Sequence, residues 1–312
     1  MTAARALGLL LGIAADGLFG DPRKGHPVAL FGKVAHRLEG VAYRDHKIPG
    51  VAYTAALTGA AVGVGVLAER AGRKHPVLRV ATTAAATWIA LGGKSLAAEG
   101  TSMGRSLDAG DVEAARKRLP NLCGRDPQAL DATALARATV ESVAENTSDA
   151  VVAPLFWGAL FGVPGLLGYR AVNTLDAMVG HRSPRYQRFG WAAARLDDVV
   201  NLVPARAAAA LTVAGAPVVG GSAEGAWKAW RRDAAAHPSP NAGRVEAAFA
   251  GALEIRLGGR TVYAHGVEER PVLGTGRSPD AGHVTRAVEL SRVVGVLAGV
   301  SAAFLALFSR KR

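Results

Sequence analysis

The chain has 312 residues, half of them hydrophobic but only 6% aromatic, with a fifth charged and a formal net charge of +12. That blend fits neither a soluble enzyme nor a densely packed transporter; it fits membrane helices separated by long polar segments. Basic residues occur in nearly every polar segment with little aromatic interleaving, which argues against nucleic acid, and a lone cysteine, Cys123, excludes an intrachain disulfide and any multi-cysteine metal site.

Residues 6–15, "ALGLLLGIAA", are apolar and follow Arg5. The next stretch, "DGLFGDPRKGHPV", carries Asp16, Asp21 and His26, so the run reads as an uncleaved helix and not a discarded leader. Ile48 to Ala68 holds no charge and is long enough to cross a bilayer. Residues 80–93 form a shorter run between Arg79 and Lys94, able to span only with snorkelling ends. Gly92-Gly93-Lys94-Ser95 is no phosphate loop, because Trp88 stands where the first glycine is required. Residues 106–119 read as a charged surface helix capped near Asp108 or Asp111, and 128–145 continue helically.

Residues 150–169 are uncharged but hold Pro154, Gly162, Pro164 and Gly165. Such a segment spans, or it is broken and packed against protein. Further apolar runs occupy 207–223 and 293–308; the last ends in "SRKR", which favours a cytoplasmic C-terminus. Strand signals are weak, with "RTVYAHGV" at 260–267 the one candidate hairpin. The expected fold is therefore all-α: a single polytopic membrane domain over 1–312 with four to six membrane-embedded helices and amphipathic cytoplasmic helices. The polar segments 98–148 and 224–290 are expected to contribute to its site.

Four groups could carry chemistry. Glu141 and Glu145 share a helical face, Asn146 and Asp149 follow at once, and apolar sequence begins next. Four oxygen-bearing side chains so close together suit Mg²⁺, which often bridges to substrate phosphates; a solvated helix face and a cap for the following helix are the plainer readings. In "RLDDVVNLVPAR", Asp197, Asp198 and Asn201 can share one face, with Arg195 and Arg206 available to pair with the acids; Asp176 lies between the two acidic groups. In "HPSPNAGR", His237 precedes Ser239 or Asn241 as cap of a helix starting near Ala242, with Arg244 beside it. That is a ready anion site or an ordinary capped turn. Asp21 and His26 form the fourth group. Nucleophilic catalysis has little support, since no serine sits in a G-x-S-x-G setting and Cys123 has no base nearby.

These groups, in this order, resemble the adenosylcobinamide-phosphate synthase family (the CobD/CbiB type) of cobalamin biosynthesis. The likeness runs from "DGLFGDPRKGHPVALFGKVAHRLE" through "GRDPQALD" and "ATVESVAENTSDAVVAPLFWGALFGVPG". It continues in "YRAVNTLDAMVGHRSPRYQRFGWAAARLDDVVNLVPAR" and "HPSPNAGRVEAAFAGALEIRLGG". Ala150 stands where the family usually has glycine, and Cys123 where a branched residue is commoner. The resemblance implies a polytopic inner-membrane ligase with its active site facing the cytoplasm. Such an enzyme joins adenosylcobyric acid to (R)-1-amino-2-propanol, or its O-phosphate, with ATP as co-substrate, and it is compatible with association with other cobalamin-assembly enzymes. On side-chain chemistry, Glu141, Glu145, Asn146 and Asp149 are expected to form a metal or base cluster with Asp176, Asp197 and Asp198 opposite. Glu141, Glu145, Asp149 and Asp198 are the expected Mg²⁺ ligands. Asn201, Arg206, His237, Ser239, Asn241 and Arg244 are expected to bind substrate or phosphate, with Asp21 and His26 in second rank. Two other readings stay open here: a membrane sensor or scaffold on the same fold, and a corrinoid transporter. All groups must converge on the ATP-bearing side, so 150–169 or 207–223 is expected to be broken or re-entrant.

Overall fold

The computed structural model describes residues 2–22, 25–181, 183–263 and 266–308, with the side chains of 261–268 outside the description. In chain order the helices are α1 (Thr2–Phe19), α2 (Pro27–Ala42), α3 (Lys47–Ala71), α4 (Pro76–Ala90), α5 (Gly93–Asp108), α6 (Val112–Arg118) and α7 (Ala132–Thr147). There follow α8 (Ala153–Phe161), α9 (Val163–Leu175), α10 (Tyr186–Phe189), α11 (Trp191–Gly215), α12 (Ala223–Asp233), α13 (Ala242–Leu253) and α14 (Ala281–Phe308). Among the described residues the strands are β1 (Leu257–Tyr263) and β2 (Gly266–Leu273), which pair as the hairpin anticipated at 260–267.

Among the described residues four helical segments are long and apolar enough to cross a bilayer: α1, α3, α11 with its extension to Val219, and α14. The protein is thus an all-α polytopic membrane protein. The 80–93 run becomes α4, which at 15 residues rises only about 22 Å, short of a hydrocarbon core of about 30 Å. The 150–169 run is broken, as its prolines and glycines predict. A π-helical turn over Ser148–Val152 leads into α8, and Gly162, at φ +68°, separates α8 from α9. The 207–223 run instead continues α11, which carries Pro204 inside it. The basic tail at 309–312 lies outside the described residues.

The chain forms two compact units. One comprises 1–92, 153–201 and 298–312. In it α1 presents Gly8 and Gly12 to α4; a β-carbon at Gly12 would sit 2.4 Å from Thr87 Cβ, so small residues set the close approach of the helices. Glu69 Oε1 accepts from Arg5 at 3.0 Å and Arg79 at 3.1 Å, tying α1, α3 and α4 together. A second cluster packs Tyr53, Leu57, Leu175 and Phe189.

The other unit comprises 93–152 and 202–297. Here Gly100 lets α5 close on α7 and α14, since a β-carbon would meet Val288 Cγ2 at 2.6 Å. Gly225 and Gly251 do the same between α12 and α13. α13 is alanine-rich and almost wholly buried, and the hairpin packs beside it. The charged helix expected over 106–119 is divided: residues 106–108 end α5, the chain turns at 109–111, and α6 begins at Val112, its first turn capped by Asp111, whose Oδ1 accepts from Ala114 N at 2.9 Å.

Candidate functional site

α7 begins where Asp131 accepts the Ala134 N–H at 2.8 Å. It buries Leu135, Val140 and Val143, and the same packing carries Glu141 inside, 2% exposed. A bare carboxylate there is costly unless it is paired and hydrogen-bonded. Arg125, from the loop after α6, binds Glu141 Oε2. Oε1 accepts the Gly258 N–H at 2.6 Å. That donor exists because the β1–β2 register shifts between Leu257 and Gly259, a bulge that releases one N–H from the ladder. Gly258 has φ +82°, and a β-carbon would lie 2.0 Å from Pro271 O, so the position requires glycine.

From β2, Arg270 reaches the same place. Its Nη1 is 3.7 Å from Glu141 Oε2 and its Nη2 is 3.7 Å from Glu246 Oε1 on α13. Arg270 Nη2 also lies 2.5 Å from His237 Nε2, which is 3.8 Å from Glu246 Oε2. His237 Nδ1 accepts the Ser239 N–H at 3.0 Å. Three carboxyls (Glu141, Glu145 and Glu246) thus share two guanidiniums.

The surplus of acid is resolved unequally. Burial alone would raise Glu141, but Arg125, the Gly258 N–H and Arg270 outweigh it and hold its carboxyl below the usual range. Burial, reinforced by the Glu141 charge, pushes Glu246 up to about 8 against the pull of Arg270. Glu145 is raised too, first by the protein crowded around it and then by the Glu141 charge, with Arg270 and Arg125 opposing. Yet the Glu145 side chain is exposed to solvent, whereas Glu141 and Glu246 are buried. His237 is lowered to about 4 by burial and by Arg270, so its imidazole is neutral at neutral pH.

The predicted groups are thereby sorted. Glu141, Glu145 and His237 come together. Asn146 turns back on its own helix, its Nδ2 donating to Ser142 O at 2.9 Å, and Asp149 lies half-buried in the π-helical turn. Ser239 Oγ accepts from Ala242 N at 3.1 Å and so caps α13, with Asn241 the residue preceding the helix. Arg206 and Arg244 line a separate hollow of this unit. In the other unit, Asn201 donates to Asp197 at 3.0 Å and its Oδ1 accepts from Tyr169 at 2.9 Å. Asp198 lies 3.6 Å from Arg195, one of the internal pairings weighed from the sequence. Asp176 opens a second π-helical turn. His26 caps α2 through Nδ1 and lies 3.5 Å from Asp21 through Nε2.

Sequence reasoning left Arg125, Glu246 and Arg270 unassigned. Arg125 and Glu246 stand inside the quoted blocks "GRDPQALD" and "HPSPNAGRVEAAF", the one signal that could have found them; nothing marked Arg270. Among the described residues no group of three or more His, Cys, Asp or Glu side chains is placed to hold a metal ion, and both Glu141 oxygens are already engaged. A Mg²⁺ ion bound mainly through a phosphorylated substrate would need only one or two carboxylates for support, and Glu145, exposed to solvent, would be one of them.

Comparison with known proteins agrees with the resemblance read from the sequence. The family described as "CobD/Cbib protein" matches residues 9–291. A Mycobacterium tuberculosis protein named "Cobalamin biosynthesis protein CobD" is 59% identical over 302 residues, 96% of each chain. Proteins of the same name from Chromobacterium violaceum and Geobacter metallireducens are 41% and 42% identical, covering 91% and 89% of each chain. No solved structure matches.

Proposed function

This chain belongs to the CobD/Cbib family, and from that premise we propose that it is a membrane-bound ligase of cobalamin biosynthesis, forming an amide between adenosylcobyric acid and (R)-1-amino-2-propanol or its O-phosphate at the expense of ATP. A carboxylate and an ammonium do not condense in water, because the carboxylate oxygen is a poor leaving group. In the proposed sequence a propionate oxygen of the corrinoid attacks the terminal phosphorus of Mg-ATP, and ADP leaves with the electron pair of the broken P–O bond. The amine nitrogen then adds to the acyl carbon, the bond to the phosphate oxygen breaks, and inorganic phosphate departs. One proton must leave the nitrogen.

The observation that carries this reading is the convergence of Glu141, Glu246 and the solvent-exposed Glu145 on Arg125 and Arg270. A solvent-accessible carboxylate beside this arginine pair is placed to take a proton from an amine, a contribution of about 10²–10⁴ in rate. Arg270 supplies positive charge for oxygens that become more anionic as the phosphate leaves. Glu141, fixed by Arg125 and Gly258, holds Arg270 in place, while neutral His237 leaves the guanidinium charge uncompensated on its other side.

The test is to incubate detergent-purified protein with adenosylcobyric acid, ATP, Mg²⁺ and either amine, and to read products by mass spectrometry. An amide product with ADP and phosphate in equal amounts is expected. Folded protein that binds the corrinoid and makes no amide with either amine would refute the ligase and leave a sensor or scaffold.

A further inference from the structure

A hollow of about 330 Å³ in the second unit is lined by Arg206, Trp227, Trp230, Arg231 and Arg244. It lies outside the glutamate–arginine cluster, and no carboxylate is among its lining residues. The sequence explains how it forms. α12, "AEGAWKAWRRD", places Trp227, Trp230 and Arg231 at helical spacings of three and four. The Gly225–Gly251 contact brings that helix onto α13, whose first turn bears Arg244. Arg206 comes from α11 and spends one N–H on its own helix, donating to Leu202 O at 2.6 Å.

Three guanidiniums around one opening repel one another, and here no acid offsets them. None of the three has an ion pair among the described residues, and Arg244 Nε is buried without a hydrogen-bond partner. Burial and the neighbouring Arg206 charge lower Arg244 further. The tryptophans finish the wall: their rings meet edge to face at 5.4 Å, and the Arg231 guanidinium stands 5.7 Å from the Trp227 ring. The unpartnered Arg244 N–H, with two further guanidiniums around the same hollow, is matched by an oxyanion of tetrahedral geometry.

We propose that this hollow binds a phosphate group, held by Arg206, Arg231 and Arg244 and flanked by the two indoles. The phosphate comes either from an anionic lipid headgroup or from a soluble phosphorylated molecule. Arg206 belongs to a segment able to span a bilayer, with exposed Leu202 and Val203 beside it. Trp and Arg together are the usual side chains of a membrane interface. The proposal stands apart from the ligase reading because its readout is binding and not turnover, so either can fail alone.

The full chain in detergent would be titrated with inorganic pyrophosphate, with short-chain phosphatidylglycerol and with short-chain phosphatidylcholine, following tryptophan fluorescence and calorimetric heat at constant ionic strength. Saturation by pyrophosphate alone identifies a soluble source, saturation by phosphatidylglycerol alone a headgroup, and mutual competition one shared phosphate seat. In Arg206→Gln and Arg244→Gln the saturating probe should bind about tenfold more weakly or worse, as the loss of a charge-assisted pair requires. Arg244→Lys, which keeps the charge but loses the fork, should fall between and guards against a folding artefact. No saturation by any probe up to about 10 mM overturns the proposal. So does saturation unchanged in both glutamine variants.

Discussion

Replacing Arg125 with methionine keeps the stem and removes the charge that neutralises Glu141. Both side chains are buried, at 6% and 2% exposure, so solvent cannot take over the lost partner. Glu141 would keep the Gly258 N–H at 2.6 Å and Arg270 at 3.7 Å, one direct bond and one looser ion pair. Breaking such a pair from one side costs about 3–5 kcal/mol, a large part of a total stability of about 5–15 kcal/mol. At about 2–4 °C per kcal/mol, the unfolding midpoint should drop by roughly 6–20 °C.

The pH dependence of that loss sharpens the test. In the parent chain Glu141 is lowered, so it stabilises above the unfolded carboxyl value and the benefit fades as pH falls through its lower folded value. Without Arg125, burial becomes the dominant influence and raises it, and the variant's deficit should shrink as pH falls toward 5 because protonation removes the stranded charge. Thermal unfolding of both proteins in one detergent, at one scan rate and at several pH values, measures this. A midpoint within about 1 °C of the parent at pH 7.5 would refute the reasoning, and so would a deficit that widens on acidification. The double variant Arg125→Met with Glu141→Leu should recover most of the stability, short of about 1–3 kcal/mol for the Gly258 N–H left without its acceptor.

Glu145→Gln should lower kcat of the proposed ligation by about 10²–10⁴ while leaving the unfolding midpoint and the KM for the corrinoid nearly unchanged; an acid limb of the pH–rate profile, set by the raised Glu145 carboxyl, should vanish with it. Retained kcat would remove Glu145 as the base. Glu246→Gln should change stability with the opposite pH sense to the Arg125 variant. With Glu246 raised to about 8, the folded chain holds a proton that the unfolded chain has already released. Stability therefore declines as pH climbs from about 4.5 to about 8, and the glutamine variant should lose that slope. Parallel melting curves of the two proteins across the window would contradict the assignment.

The sequence was informative wherever a local pattern carried the physics. The apolar runs at 6–15, 48–68, 207–223 and 293–308 proved to belong to α1, α3, α11 with its extension, and α14, and the prolines and glycines of 150–169 did break that segment at Gly162. The capped turn at Ser239 and the Asp111 cap were likewise legible, because a cap is decided within four residues. The glutamate pair was visible as an acidic face meeting apolar sequence. Its partners were not, since Arg125, Glu246 and Arg270 are separated from it by long stretches and resemble the many other charged residues of a +12 chain. The quartet Glu141, Glu145, Asn146 and Asp149 looked like one ligand set because the residues are neighbours in sequence. In the structure Asn146 bonds within its own helix, and Asp149 lies in the π-helical turn that follows α7.

What holds the cluster together is backbone more than charge. Glu141 owes one of its bonds to a bulge that only glycine allows at 258, and α12 reaches α13 because Gly225 and Gly251 remove two side chains from the contact. Charge alone would disperse three carboxyls; rigid small-residue packing forces them into one space, and that compulsion raises Glu145 and Glu246 while Glu141 stays ionised. The raised carboxyls are therefore a consequence of the alanine- and glycine-rich composition, which first marked the chain only as membrane-like. The same economy of side-chain volume leaves the arginine–tryptophan hollow open between α11, α12 and α13. Filling Gly225 or Gly251 should consequently disturb both places at once, because a β-carbon at either would collide with the backbone of the other helix.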